Sequence, residues 1–178
     1  MWQGTAIVVL AAIAAAGGSG LNAQSESPAV RPESAAIRAL IESGMARSAT
    51  FRDLKTRLDN TDVIVYVRFS RCPSGIPACL AWITAGAGSR RLLIRIDRFD
   101  SSPDRLTALL AHELQHANEV AAAPDITDLA SFERSFASLG WSDGTGFETE
   151  QAQNTTRSVA AELSRARHDA GRGQRPPP

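Results

Sequence analysis

The segment LLAHELQHANEV, Leu109 to Val120, contains two of the three histidines in this chain of 178 residues. Its leucine spacing predicts an amphipathic helix. His112 and His116 are four residues apart, and a helical turn rises about 5.4 Å, so both imidazoles would reach one metal ion from the same helix face. On a helical wheel the pair lies at the edge of the apolar stripe, which predicts a metal site between the core and a cleft.

Residues 112 to 116 have the form HExxH, because Glu113 follows the first histidine. In this motif the histidines bind Zn²⁺ and the glutamate acts as a base on a water molecule. The alternative is that the two histidines occur together by chance on a solvent-exposed helix face. In a chain with so few histidines, a chance HExxH is expected in on the order of one sequence in a few hundred. We therefore expect Zn²⁺ as the cofactor.

A catalytic zinc site needs a third protein ligand. His168 is near the C-terminus and is expected on the surface. Glu119 would have to bend back along its own helix to reach the metal, so we expect Glu119 to be solvated or to orient a histidine. If the last helix starts near residue 147, Glu148 shares the apolar stripe of Ala152, whereas Glu150 lies on the polar face. Burial of a carboxylate is costly unless it is paired or binds a metal, which favours Glu148. The alternative for Glu148 is a first-turn acid stabilised by the helix dipole.

The remaining sequence predicts an α+β domain over residues 33–170. Three β-branched or aromatic runs joined by turn-rich loops predict a three-stranded meander, or a slightly larger sheet, at 63–69, 79–85 and 91–97. Capping residues, early prolines and apolar periodicity predict helices at 33–47, 51–60, 103–122, 128–139 and 147–168.

Both ends of the chain differ in composition from this domain. Residues 1–23 have the short apolar run of a signal peptide, with a small residue before Gln24 at the expected cleavage point, although no Lys or Arg precedes the run. A retained membrane anchor is the alternative. Residues 24–32 and 171–178 are polar or rich in Gly and Pro, and we expect a disordered linker and a disordered tail. The protein is therefore expected to be secreted or periplasmic.

Cys72 and Cys79 are the only cysteines, and both fall in the part expected to be exported. In an oxidising compartment this pair predicts one structural disulfide, with two free thiols as the alternative. Nineteen basic and nineteen acidic residues cancel, so the charge gives no indication of a nucleic-acid partner. We expect membrane association only if the N-terminal segment is retained.

The motifs resemble those of the gluzincin metallopeptidases, in which HExxH is followed by a glutamate on a later helix and an edge strand holds an extended substrate. The resemblance covers about residues 60–165, and it extends to small, exported, uncharacterised bacterial zincin-like proteins with HELQHA and FET segments. It implies a zincin-like fold that hydrolyses peptide bonds in a peptide or protein substrate. Its ligands would be His112, His116 and Glu148, with Glu113 as the general base. The strand at 91–97, immediately before the HExxH helix, would hold the substrate.

One position departs from that family. Many members have an acidic residue four positions beyond the third ligand, where this chain has Ala152. A histidine would then have to be oriented by Glu119 or by a carbonyl group. A different class of function, a non-catalytic zincin-like binding module with a structural or vestigial zinc site, also fits the motif. A closed fourth coordination position would distinguish that module from an enzyme.

Overall fold

The computed structural model of the chain describes residues 28–98, 102–139, 141–142 and 147–173. These residues form an α+β arrangement, as the sequence predicts. The strands are β1 (Val30–Pro32), β2 (Val63–Phe69), β3 (Ala78–Gly86), β4 (Ser89–Ile96), β5 (Trp141–Ser142) and β6 (Phe147–Glu148). The α-helices are α1 (Ala35–Arg47), α2 (Ala49–Asp59), α3 (Pro103–Ala122), α4 (Leu129–Leu139) and α5 (Glu150–Gly173). A short 3₁₀ helix at Pro73–Gly75 precedes β3.

The larger sheet has the strand order β1-β2-β4-β3. Strand β2 is parallel to β1 and β4, and β3 is antiparallel to β4. The predicted meander is therefore wrong, because β4 lies between β2 and β3. The apolar run Leu92-Leu93-Ile94 is buried, and a strand with a continuous buried run belongs inside a sheet. Strand β3, whose second half is exposed, takes the edge.

The described part of the chain starts within the predicted linker. Val30 is buried and pairs with Val65, so residues 30–32 form the other edge strand of the sheet. Pro32 is the last residue of this strand. Proline has no backbone N–H group, and at the end of an edge strand this removes no hydrogen bond between strands. At the other end, α5 continues to Gly173, into the predicted tail.

The predicted signal peptide and most of the linker and tail lie outside the described residues. In the part of the chain that the structure describes, no helix is both long and apolar enough to cross a membrane.

Helix α3 carries the HExxH motif and lies between the sheet and α5. It runs from Pro103 to Ala122, as predicted; the side chain of Ser102 caps it by accepting from the N–H group of Arg105. Leu110 and Leu114 are fully buried in the single core cluster, which joins the helices to one face of the larger sheet. The motif therefore lies on a buried central helix.

Arg90 ties the C-terminal end of α3 to the sheet. Its guanidinium group forms two hydrogen bonds of 2.7 and 2.8 Å with the carboxylate of Asp62. It also donates to the carbonyl groups of Val120, Ala121 and Ala123. These carbonyls are at the end of the helix, where the carbonyls of Val120 and Ala123 also accept from the N–H groups of Ala123 and Ile126. The arginine adds a charged donor to them and places its charge at the favourable end of the helix dipole.

Candidate metal centre

The side chains of His112, His116 and Glu148 converge on one point. The Nε2 atom of His112 lies 3.2 Å from Nε2 of His116 and 3.3 Å from Oε1 of Glu148. All three potential ligand atoms lie within 4.8 Å of one another. Two atoms bound tetrahedrally to one zinc ion at 2.0–2.1 Å would be about 3.4 Å apart. The cluster could therefore bind a metal ion.

Glu148 reaches the cluster from a different element than the sequence predicts. It lies in β6, where it pairs with Trp141 of β5, and α5 begins only at Glu150. The prediction of a helix from residue 147 is therefore wrong, and with it the placement of Glu148 on an apolar helical stripe. A two-residue strand has too few residues to show a period in the sequence. Glu150 is exposed and does not belong to the cluster.

Glu119 orients His116. Its Oε2 atom lies 2.8 Å from Nδ1 of His116. Because a carboxylate accepts, Nδ1 carries the proton and Nε2 keeps its lone pair for the cluster. Gln115 and Thr149 donate to the other carboxylate oxygen at 3.2 and 2.8 Å. Burial raises the pKa of Glu119, but these hydrogen bonds and the charge of His116 lower it by more, so the carboxyl group is held ionised.

Thr156 orients His112. The Thr156 hydroxyl group donates to the carbonyl of Ala152 at 3.0 Å, so it accepts from Nδ1 of His112 at 2.9 Å. The Nε2 lone pair of this histidine then also faces the cluster. Sequence reasoning missed Thr156. A helical threonine one turn beyond the buried Ala152 was the available signal, because it lies on the face of α5 that turns toward α3.

The two histidines have opposite electrostatic environments. Burial, and next the charge of His116, lower the pKa of His112 to about 4, which keeps its imidazole neutral as a metal ligand must be. Burial also lowers the pKa of His116. The hydrogen bond to Glu119 and the charges of Glu113, Glu119 and Glu148 outweigh that effect and raise it. His116 is therefore the ligand whose basicity the neighbouring carboxylates increase.

Glu113 is a buried carboxyl group beside the cluster. Burial is the largest influence on its pKa and, with the charge of Glu148, raises it to about 7, while His116 and the Leu80 backbone N–H group lower it. A carboxyl group with a pKa near neutrality can both accept and return a proton at physiological pH. The side chain therefore has the properties of a general base.

A cavity of about 570 Å³ contains the cluster and Glu113. Much of its wall is apolar, including Leu80, Leu109, Phe132 and Phe136. The ring of Phe136 lies edge-on to His116, with centroids 5.4 Å apart, and packs against this imidazole. The cavity is large enough to bury part of an extended peptide.

Strand β3 is an edge strand of the larger sheet beside this cavity, and no other described strand pairs with its outer side. The N–H group of Asp97 donates to the carbonyl of Pro77 at 2.8 Å, so Pro77 and Cys79 face β4 across the antiparallel ladder. Backbone groups alternate in such a ladder, so those of Ala78 and Leu80 point away from β4. The Leu80 N–H group interacts with the carboxyl group of Glu113. The prediction that residues 91–97 hold a substrate strand is wrong, because β4 is already paired on both sides.

Comparisons of the chain with protein families, with curated proteins and with solved structures found no match. The chemistry of the site is therefore read from its own residues. Two oriented imidazoles, a carboxylate, a buried proton acceptor and a free strand edge meet in one cavity.

Proposed function

We propose that the protein is a zinc-dependent hydrolase of peptide bonds. The observation that carries the proposal is the position of Glu113, a buried carboxyl group between the His112–His116–Glu148 cluster and the edge strand β3. A metal site alone would fit many functions. A metal site with a proton acceptor beside a strand edge fits hydrolysis of an extended chain.

The ligand set suits zinc. Two neutral imidazole nitrogens and one carboxylate oxygen are the ligands of catalytic zinc sites that keep a fourth position for water. Both Nδ1 atoms are engaged by Thr156 and Glu119, so both Nε2 atoms are available. A bound zinc ion would lower the pKa of a water molecule and polarise the scissile carbonyl group.

The protein's own groups carry out the remaining steps. The backbone groups of Ala78 and the carbonyl group of Leu80 hold the substrate as an added strand, as the resemblance to gluzincins implies for an edge strand. The Leu80 N–H group interacts with Glu113 instead. Glu113 takes the proton from the attacking water and passes it to the leaving amine. The apolar wall around Phe132 and Phe136 limits the access of bulk water to the reacting bond.

We also propose that the protein is exported and remains secreted or periplasmic. The support is the Cys72–Cys79 disulfide, since disulfides persist in oxidising compartments, together with the signal-like composition of residues 1–23. Intact-mass measurement of the protein from its native host tests this. Cleavage before Gln24 is expected, and an uncleaved N-terminus would contradict it.

The metal assignment is tested by zinc analysis of the purified protein. About one equivalent is expected, and His112→Ala, His116→Ala and Glu148→Ala should each lose it, because two remaining ligands do not complete the site. Glu150→Ala is the matched control, since it removes a neighbouring carboxylate outside the cluster. Full zinc in the three ligand variants would exclude this site.

The enzymatic assignment is tested by Glu113→Gln. This variant should keep zinc and fold but lose peptide hydrolysis by at least about a hundredfold, because it removes the base and no ligand. Unchanged hydrolysis would refute the role of Glu113. If the wild-type protein binds zinc but cleaves no peptide in a mixed-sequence library, the alternative of a non-catalytic zincin-like module replaces the enzyme.

A further inference from the structure

The larger sheet has an unusual charge distribution. Its four strands contain five arginines and no aspartate or glutamate. Arg90 faces the helices and is buried against Asp62. The other four, Arg31, Arg68, Arg91 and Arg95, alternate with the buried core residues of their strands and so lie on the opposite face, which we call the arginine face. No ion pair involves these four among the described residues.

Two of these arginines are direct neighbours. Arg68 of β2 is the register partner of Arg95 of β4. Like charges at paired positions repel each other. The Nε atoms of both side chains are buried and have no hydrogen-bond partner within the described ranges. Both unfavourable features would be relieved by an anion that accepts from the two guanidinium groups.

One member of this pair, Arg95, lines the cavity of the candidate metal centre. The cavity that contains the cluster is also lined by Cys79, Ala81 and Arg95, so it extends past the edge strand β3 toward the arginine face. Cys79 is the register partner of Arg95. Strands lie about 4.8 Å apart, so a chain added to β3 would run roughly 10 Å from β4. An arginine and an acidic side chain together span that distance.

We propose that Arg95, with Arg68 behind it, recognises an acidic side chain of the peptide substrate. This inference rests on the proposed function. An extended peptide on β3 has alternate side chains on opposite faces of the sheet. One set of substrate side chains contacts the metal cluster and the apolar wall around Phe132 and Phe136. The other set lies on the arginine face. A carboxylate there accepts from the planar guanidinium groups, which match it geometrically.

The proposal specifies a substrate class. The peptides should carry Asp or Glu an odd number of residues away from a peptide residue whose side chain faces the helices. The side chains of an extended peptide alternate between the two faces of the sheet with a period of two. Moving the acidic residue by one position places it on the wrong face. The preference should therefore depend on position and not on the net charge of the peptide.

The test measures binding to zinc-loaded Glu113→Gln protein, which holds peptides without cleaving them. Fluorescent peptides with one Glu scanned along an otherwise neutral sequence are compared with the same peptides containing Gln. At the favoured position, the Glu peptide should bind roughly tenfold to a hundredfold more tightly, as expected for a charge-assisted hydrogen bond. Arg95→Gln should bring the ratio of the Glu-peptide to the Gln-peptide affinity to about one, and Arg95→Lys should retain part of the preference.

Arg91→Gln is the matched control, because Arg91 is on the same strand and face but does not line the cavity. The preference should survive in this variant. Equal binding of Glu and Gln peptides, an equal loss in the Arg91 and Arg95 variants, or a preference that ignores position would overturn the subsite while leaving the peptidase proposal intact. Failure of every peptide to bind the zinc-loaded protein would contradict the peptidase proposal itself, and this inference with it.

Discussion

The hydroxyl group of Thr149 donates a 2.8 Å hydrogen bond to Glu119, and the same residue caps helix α5 by accepting from the N–H group of Ala152 at 3.1 Å. Glu119 in turn holds Nδ1 of His116. Thr149 directly follows Glu148 in the chain. One threonine therefore fixes both the approach of the predicted third ligand and the orientation of the second histidine.

Thr149→Val should weaken zinc binding by about 10- to 100-fold, the usual effect of losing a group that orients a ligand. The free energy of unfolding of the metal-free protein should also fall by about 1 kcal/mol, because the helix loses its N-cap. Thr149→Ser should preserve both properties, since it keeps the hydroxyl group. Competition with a chelating dye measures the affinity, and urea denaturation measures the stability.

A second cap separates these two effects. Ser34 caps α1 by accepting from Ile37 and does not belong to the cluster. Ser34→Ala should lower the stability by a similar amount without changing the zinc affinity. If it weakens zinc binding as strongly as Thr149→Val does, the effect of Thr149 comes from general stability and not from Glu119.

The Cys72–Cys79 disulfide, predicted from the sequence and present in the structure, closes the loop that forms one wall of the cavity. In the chain-entropy model a loop of this length contributes about 2.5 kcal/mol to stability. The double variant Cys72→Ser/Cys79→Ser should lose about this amount and bind peptides more weakly. Zinc should remain near one equivalent, because the loop holds no ligand of the cluster. Loss of zinc from the folded double variant would contradict this separation.

Local features were predictable from the sequence. The strand at 63–69 and the helix at 103–122 have the predicted bounds, because a β-branched run between turn residues and a Ser-Pro start are signals within the elements themselves. The sheet order was not predictable in this way. Whether β4 pairs with β2 depends on contacts between distant parts of the chain, and only the burial of Leu92, Leu93 and Ile94 indicates a central strand.

The cluster shows the same division between local and distant information. One helical turn brings His112 and His116 together, and their spacing of four residues predicts this contact directly. Glu148 comes from a distant two-residue strand, so this residue was predicted from a mistaken element. Thr149 had no distinct signal, because a short polar residue at a helix start is usually a cap or solvated. Thr156 was indicated only by its spacing of one helical turn from the buried Ala152.

Gly44 allows helices α1 and α2 to pack closely. A Cβ atom at this position would lie 2.7 Å from ring atoms of Phe51, which is fully buried. Gly44→Ala should therefore lower the stability by about 1–3 kcal/mol, despite the better helix propensity of alanine. Gly171→Ala is the matched control, because nothing lies within 4 Å of its Cβ position on α5. That variant should be neutral or more stable by up to about 1 kcal/mol in thermal or urea denaturation; equal losses in both would rule out the steric cause.

The ion pair between Asp62 and Arg90 should make stability depend on pH. Hydrogen bonds from Arg90 hold the pKa of Asp62 below its ordinary value of 3.8. A carboxyl group with a lowered folded-state pKa stabilises the protein above the unfolded-state value, and this contribution is lost as the pH falls through the folded-state pKa. Asp62→Asn should therefore cost on the order of 1 kcal/mol at pH 7, a modest value because the carboxylate is partly exposed and screened. The difference from wild type should shrink as the pH is lowered below about 4, where the native carboxyl group is also protonated.

Asp125→Asn, at an exposed aspartate without an ion pair among the described residues, should show no such trend in urea denaturation across this range. A cost of Asp62→Asn that stays constant from pH 7 to pH 2 would mean that the pair contributes through shape and neutral hydrogen bonds instead of charge.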